Sequence, residues 1–294
     1  MKKKLLSLIV CAALVFSLAG CNKDQTAATT AGSASESTDA GKETDAAGSV
    51  PETDKPSAPD AGETATFTVG FDQEFPPMGF VGDDGKYIGF DLELAEEVAN
   101  RLGKTFVPQP INWGSKDMEL NAGTIDCIWN GFTMTGREED YTWSDPYMNN
   151  RQVVVVRSDS DIASFDDLAG KIVEVQTDSS AEAALAEMPE LTGTFSMLQT
   201  TPDYNAAFMD LEMGAVDAIA IDVVVASYQI EQRGDGFKML DGELASEKYG
   251  IGFKLGNEAL RDQVQAALEE MAADGTVAAI SEKWFGSDIT TIGK

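Results

Sequence analysis

From Thr66 to the C-terminus, short apolar runs rich in Val, Ile and Phe alternate with stretches whose apolar residues recur every four positions. Segments of both kinds can be buried together only if helices cover strands, so the alternation predicts an α/β fold with a largely parallel sheet. Thr66–Phe71 reads as the first strand. Asp91 stands where it could cap a helix carrying Leu94, Val98 and Leu102 and closing at Gly103. Phe106-Val107 reads as a short strand, 116–122 as a helix and 125–129 as a strand. After the valine run 153–156 the pattern restarts. Phe165–Leu168 is a helical turn, 171–175 a strand, and Ser179-Ser180-Ala181-Glu182 a capping box that opens a helix. Residues 203–213 read as a helix ended by Gly214, and 216–221 as an apolar strand. Two helices close the chain, one with Leu260, Val264, Leu268 and Met271, the other with Val277, Ile280 and Trp284. Two successive α/β units joined by extended runs imply two lobes.

The N-terminus is built differently. Lys2, Lys3 and Lys4 precede an apolar stretch at 5–18, followed by Leu18-Ala19-Gly20-Cys21. A basic start, a short apolar middle and small residues at a cleavage point mark residues 1–20 as a secretory signal. The stretch is too short for a transmembrane span, which needs roughly 20 residues. A cysteine directly after Leu-Ala-Gly resembles the lipobox of bacterial lipoproteins. That implies acylation of Cys21 and attachment to the outer face of the cell membrane. Residues 21–65 hold Ala, Thr, Ser, Gly, Asp, Glu and Pro without an aromatic residue. Such a composition buries too little apolar surface to order itself, so this acidic segment is expected to be a disordered linker.

Charge and composition then remove whole classes of function. The net charge is −29, and nucleic-acid binding needs clustered Lys and Arg, so no nucleic-acid partner is expected. Of the three cysteines, Cys11 leaves with the signal and Cys21 is the lipid site. Cys127 is left alone in an apolar run, expected as a core residue and unable to form a disulfide within one mature chain. The chain has no histidine, so the commonest general base and commonest metal ligand are both missing. It also lacks a calcium-loop spacing, a GxxxxGK[ST] loop and a GxGxxG motif. No enzyme activity, cofactor or metal is expected.

Ligands in open α/β folds sit beyond the carboxyl ends of strands. After the first strand comes Asp72-Gln73-Glu74-Phe75-Pro76-Pro77-Met78. After the fourth comes Asn130-Gly131-Phe132-Thr133-Met134-Thr135-Gly136-Arg137. Thr177-Asp178-Ser179-Ser180 follows the fifth, and Asp222 the sixth. This set suits a free amino acid. A carboxylate asks for the paired donors of a guanidinium, supported by hydroxyl and amide donors. An ammonium asks for an anion, here Asp222, and aromatic walls exclude water and strengthen both contacts. Taken singly, Arg137 could be a surface residue, Ser179 only a helix cap, and Phe75 and Trp113 only core. Asp222 is harder to dismiss, because it interrupts an apolar run and a buried carboxylate needs a partner.

The segment Gly85-Lys86-Tyr87-Ile88-Gly89-Phe90-Asp91-Leu92-Glu93-Leu94-Ala95 resembles a signature of the periplasmic-type solute-binding proteins for polar amino acids (family 3). So do Asn121-Ala122-Gly123-Thr124-Ile125-Asp126, Thr133-Met134-Thr135 with Arg137, Trp143-Ser144-Asp145-Pro146-Tyr147, the run 165–171, Val175-Gln176 leading to Ser179-Ser180, and Gly214-Ala215-Val216-Asp217-Ala218. The resemblance runs from about Val69 to Gly286. It implies a two-lobed type II fold, each lobe a mixed, mostly parallel sheet flanked by helices with the ligand cleft between. The lobes would be 66–154 plus 251–294, and 155–250. It further implies a monomeric protein that captures an amino acid and hands it to the permease subunits of an ABC importer. Arg137 would grip the ligand carboxylate with the Thr133 hydroxyl and the Gly131 amide, and Asp222 would bind the ammonium. Ser179 or Ser180 would add a donor from the second lobe. Phe75 and Trp113 would sandwich the side chain, and Asp72 would meet its polar end. One departure stands out: only Gly136 separates Thr135 from Arg137, where the family has two residues. Two other readings use the same scaffold, a dehydratase of cyclic acids with Glu74 or Glu174 as the acid, and a ligand-loaded partner of a sensor. Asp72 and Glu74 favour a basic ligand, while the Phe75, Trp113, Gly131, Thr133 set is equally similar to glutamine-binding relatives.

Overall fold

The computed structural model describes residues 65–294. The expected signal, Cys21 and the linker up to residue 64 lie outside them. In chain order the elements are β1 (Thr66–Phe71), β2 (Glu74–Phe75), β3 (Gly79–Val81), β4 (Tyr87–Ile88), α1 (Phe90–Arg101), β5 (Thr105–Pro110), α2 (Lys116–Ala122), β6 (Cys127–Ile128) and β7 (Thr142–Trp143). They continue with β8 (Met148–Arg157), β9 (Ile172–Gln176), α3 (Ser180–Ala186), α4 (Pro189–Thr192), β10 (Met197–Thr201), α5 (Tyr204–Met213) and β11 (Ala218–Asp222). Last come α6 (Val223–Arg233), β12 (Phe237–Met239), β13 (Ala245–Tyr249), β14 (Gly252–Phe253), α7 (Glu258–Ala273) and α8 (Thr276–Phe285). Short 3₁₀ turns occupy Trp113–Ser115 and Phe165–Leu168.

Two sheets organise these elements. The first has strand order β5-β1-β6-β14-β7, and the second β10-β9-β11-β8-β12 with β13 also on β8. β1 runs parallel to β5 and β6, and β9 runs parallel to β10 and β11, as helical crossovers require. The long β8 is antiparallel to β11, β12 and β13. It belongs to the second sheet from Met148 onward, so Val153 and Val154 lie there too. The C-terminal helices return to the first sheet. Val264, Leu268, Met271, Val277 and Ile280 share one core with Phe90, Leu94 and Val98 of α1. Arg101 pairs with Asp274 at 2.8 Å, and Lys283 with Glu93 at 2.7 Å. Cys127 is fully buried in that core. Among the described residues, no helix is long and apolar enough to cross a membrane.

Several elements differ from their sequence reading. The strand expected at 125–129 is only Cys127–Ile128, because Trp129 already turns toward the loop that carries Gly131. The strand expected at 216–221 is Ala218–Asp222. The apolar residues that follow Asp222, Val223-Val224-Val225, open α6, in which Val225, Ala226 and Gln229 face inward at helical spacing. Asp91 does not cap α1. The cap position is Gly89, at φ 149, where a Cβ would lie 2.2 Å from the Met78 carbonyl oxygen. Asp91 is instead a buried residue of the first turn. The capping box is half realised, since the Ser179 hydroxyl accepts from Glu182 N but the Glu182 carboxylate accepts from Asp178 N.

Candidate functional site

The register of β8 assembles a buried polar cluster on the second sheet. Asn150 lies opposite Glu247 of β13, and Gln152 lies opposite Asp222 at the end of β11. Residues two apart on a strand share a face, so Asn150 and Gln152 both point at these carboxylates. Asp222 Oδ1 accepts hydrogen bonds from Asn150 Nδ2 at 2.8 Å, Gln152 Nε2 at 2.7 Å and the Tyr249 hydroxyl at 2.6 Å. Glu247 Oε1 accepts from the same two amides at 2.6 and 2.7 Å, and from the Thr133 hydroxyl at 2.9 Å. Asp222 ends its strand at the N-cap position of α6 without capping it, which leaves its carboxylate for the cluster. Burial, and then the neighbouring Glu247, push the Asp222 carboxyl up to about 7.

The first sheet supplies the facing wall. Gly131 turns the chain at φ +57, where a Cβ would sit 3.0 Å from both Phe75 and Tyr249, so only glycine fits this close packing. Its amide is already taken, donating to Asp91 Oδ2 at 2.6 Å. Gly131 therefore shapes the wall rather than offering the free donor read from the sequence. The Thr133 hydroxyl reaches across to Ser180 Oγ at 3.1 Å. Arg137 donates from Nη1 to the Thr133 carbonyl at 3.1 Å, with its guanidinium 5.5 Å from the Phe132 ring centre. With Ser180 and Glu247 it lines a cavity of ≈ 370 Å³. Of the two serines, Ser180 joins the cluster, 2.9 Å from Gln152 Nε2, while Ser179 caps α3.

A second cavity of ≈ 340 Å³ opens at the other end, lined by Asp72, Glu74, Trp113 and Asp203 among others. Asp72 Oδ1 accepts from Glu74 N, and its Oδ2 accepts from Gln176 Nε2 on β9 at 2.7 Å, which ties the two sheets together. Burial pushes the Asp72 carboxyl up to about 6. Phe75 packs against Tyr204 at 6.0 Å between ring centres, and Trp113 packs edge-on to Phe132 at 5.5 Å. Trp113 Nε1 also donates to the Asp178 carbonyl at 3.2 Å, and the buried Lys116 ammonium pairs with the Asp178 carboxylate. Asp178 holds the left-handed φ of 60 to present both groups.

The structure sorts the nine residues read from sequence. Asp72, Thr133, Ser180 and Asp222 present polar atoms to the facing sheet or to the cluster. Phe75 and Trp113 are walls, Ser179 and Gly131 shape the backbone, and Arg137 stands half-buried at one mouth. Glu247, Asn150, Gln152 and Gln176 were not foreseen. The sequence signal for two of them is the polar run 149–152 ahead of the valines of β8. Among the described residues, no ion pair involves Arg137, Asp222 or Glu247. Arg137 and Glu247 thus line one cavity, and Asp222 holds the same two amides as Glu247.

The buried carboxyls also set a pH dependence. Asp72 titrates near 6, and Asp91 and Asp222 near 7, each chiefly through burial, against 3.8 for the ordinary carboxyl. The folded state keeps these protons where the unfolded chain has released them. The stability they confer is full below the ordinary value and is lost as pH rises through 6 to 7. The unliganded protein is expected to melt about 5 °C or more lower at about pH 8 than at about pH 5.5, and Asp91→Asn to flatten that profile. A melting temperature that rises over this interval contradicts the assignment.

Residues 67–287 match the bacterial extracellular solute-binding proteins, family 3. The chain is 32% identical over 231 residues to the L-cystine-binding protein TcyJ of Escherichia coli (strain K12), which spans 78% of this chain and 85% of that protein. Among solved structures it is similar to an ABC uptake transporter substrate binding protein from Streptococcus pneumoniae with bound histidine. The TM-score is 0.74 at 36% identity, covering 77% of this chain and 94% of that one. It is also similar to an ancestral arginine-binding protein bound to glutamine, with a TM-score of 0.71 at 36% identity, covering 76% and 100%. With its two sheets, its buried inter-sheet junction and this match over most of its length, the chain belongs to the bacterial extracellular solute-binding proteins of family 3, and its fold is the two-lobed type II periplasmic-binding-protein fold.

Proposed function

We propose that this protein captures a free polar amino acid between its lobes and delivers it to the permease subunits of an ABC importer. The observation that carries the reading is the cavity lined by Arg137 and Glu247, with Asp222 bound to the same amides as Glu247 and none of the three in an ion pair among the described residues. A zwitterion satisfies both poles at once and is held only when the lobes close, so ligand shifts the open–closed population through its differential affinity. Arg137, the Thr133 hydroxyl and Ser180 take the carboxylate, and Asp222 takes the ammonium. Phe75 and Trp113 enclose the side chain, and Asp72 with Gln176 meets its polar end. The relatives named for cystine and arginine, and the structures holding histidine and glutamine, support a polar or basic ligand.

The lobes divide ahead of β8, before the 154/155 boundary read from sequence, and at 250/251. The crossings between the sheets lie between β7 and β8 and between β13 and β14, which supports placing all of β8 in the second lobe. The protein works as a secreted monomer anchored through acylated Cys21, with residues 21–65 as tether. It binds without turnover, in keeping with relatives that are solute-binding proteins.

A thermal-shift screen of the twenty amino acids and L-cystine tests the reading. A true ligand at a hundred times its dissociation constant should stabilise the protein by about 2.7 kcal/mol. Hits are expected among polar or basic amino acids and none among sugars or dipeptides. A screen in which no amino acid raises the melting temperature contradicts the proposal.

A further inference from the structure

We propose that Glu247 is a second binding carboxylate of the ammonium subsite, so that the site selects a primary ammonium group by engaging all of its N–H donors. The inference rests on the amino-acid reading above and specifies how that site chooses its ligand. Glu247 and Asp222 are 7% and 3% exposed, and both hold the same pair of amide nitrogens. With Asn150 and Gln152 turned this way, their amide oxygens, Asn150 Oδ1 and Gln152 Oε1, are buried without a hydrogen-bond partner. The wall therefore concentrates two carboxylates and two orphaned carbonyl-type oxygens in a dry place. Such an excess of acceptors calls for a group made of donors. A primary ammonium carries three N–H groups and no acceptor, a secondary ammonium carries two, and a hydroxyl one. Buried acceptors left unmatched by the poorer donors are the basis of discrimination.

The same geometry ties binding to a proton. Burial and the neighbouring Glu247 push the Asp222 carboxyl up, so the unliganded site keeps a proton on Asp222 that an entering ammonium displaces. The other titratable groups facing the pair do not remove this proton. The Tyr249 hydroxyl donates to Asp222, and burial keeps Tyr249 and Tyr204 protonated. Arg137, at the cavity mouth beside Glu247, makes no ion pair with it among the described residues.

Calorimetry at about pH 6, in buffers of different ionisation enthalpy, tests the proposal with L-arginine, L-histidine, L-glutamine and L-cystine as probes. With the best-binding probe, the wild-type protein should release a proton and should bind the N-methyl derivative about tenfold or more weaker. Glu247→Gln should bind the probe about 10- to 100-fold weaker, release fewer protons and lose part of the preference against N-methylation, while Glu247→Asp recovers part of each. Glu247→Gln binding within threefold of wild type with an unchanged proton count overturns the proposal. Should Glu247→Gln fail to fold, the wild-type protein decides alone, and equal affinity for the probe and its N-methyl derivative overturns it. Wild type binding none of the four probes overturns the amino-acid reading itself, and this inference with it.

Discussion

Replacing Asp222 with alanine is expected to weaken amino-acid binding about 30- to 5,000-fold, equivalent to about 2–5 kcal/mol. The size follows from where the carboxylate stands. Asp222 is 3% exposed, and the ammonium it is proposed to receive would leave water on entering the closed junction. Removing the anion leaves that charge desolvated beside a poorer partner, which costs more than the net worth of the contact. Glu247 limits the loss, because a second carboxylate lies within reach of the same amides. Alanine also strands the Tyr249 hydroxyl and the two amides that bond to Oδ1. Asp222→Asn keeps an acceptor there, so it should lose affinity comparably while unfolding near the wild-type temperature. Isothermal titration of both variants checks this, and either one binding within twofold of wild type contradicts the assigned role. Arg137→Ala should cost less, since the guanidinium is half-buried at the mouth and, among the described residues, its hydrogen bond is to the Thr133 carbonyl and it lies over the Phe132 ring.

Asp91→Ala is expected to lower stability by about 2–4 kcal/mol, mostly by orphaning buried donors. Asp91 is fully buried and accepts from the Gly131 amide at 2.6 Å and the Tyr147 hydroxyl at 2.8 Å. Without it two donors lose their acceptor inside the core, and the space left behind adds a cavity cost. One term opposes this. Burial pushes the Asp91 carboxyl up to about 7, so above that pH the native protein carries a desolvated charge that alanine removes. The loss should therefore be largest near pH 6 and smaller near pH 8. Urea unfolding followed by circular dichroism at both values measures it. A loss below about 0.5 kcal/mol at the lower pH would leave no structural role for this carboxyl. Because Asp91 fixes Gly131, which packs between Phe75 and Tyr249, ligand affinity should fall along with stability.

Periodicity made the long elements legible. α5, α7 and α8 lie where their apolar spacing put them, with Asp203 capping α5 and Gly214 closing it. It failed where tertiary contacts overrule local pattern. Val223-Val224-Val225 has the composition of a strand, yet it starts a helix because β11 has already ended at the buried Asp222. Asp91 has the composition of a cap, yet the close approach of the Met78 carbonyl reserves that position for Gly89. The site shows the same division. Strand ends point to these residues: Asp72 and Asp222 follow their apolar runs directly, and Thr133 and Ser180 lie a few residues beyond theirs. Glu247 and its two amides were hidden because they lie within strands. A polar residue in a strand acquires its meaning only from the residue opposite, and the pairing of Asn150 with Glu247 and Gln152 with Asp222 is a property of the register across three strands.

A crystal structure of the protein with the amino acid that ranks first in the thermal screen tests the central claim most directly. The account predicts the ligand ammonium within about 3 Å of the Asp222 carboxylate and its carboxylate on the Arg137 guanidinium, with Phe75 and Trp113 flanking the side chain. A ligand seated away from the junction of the two sheets, or with its poles reversed, would contradict it.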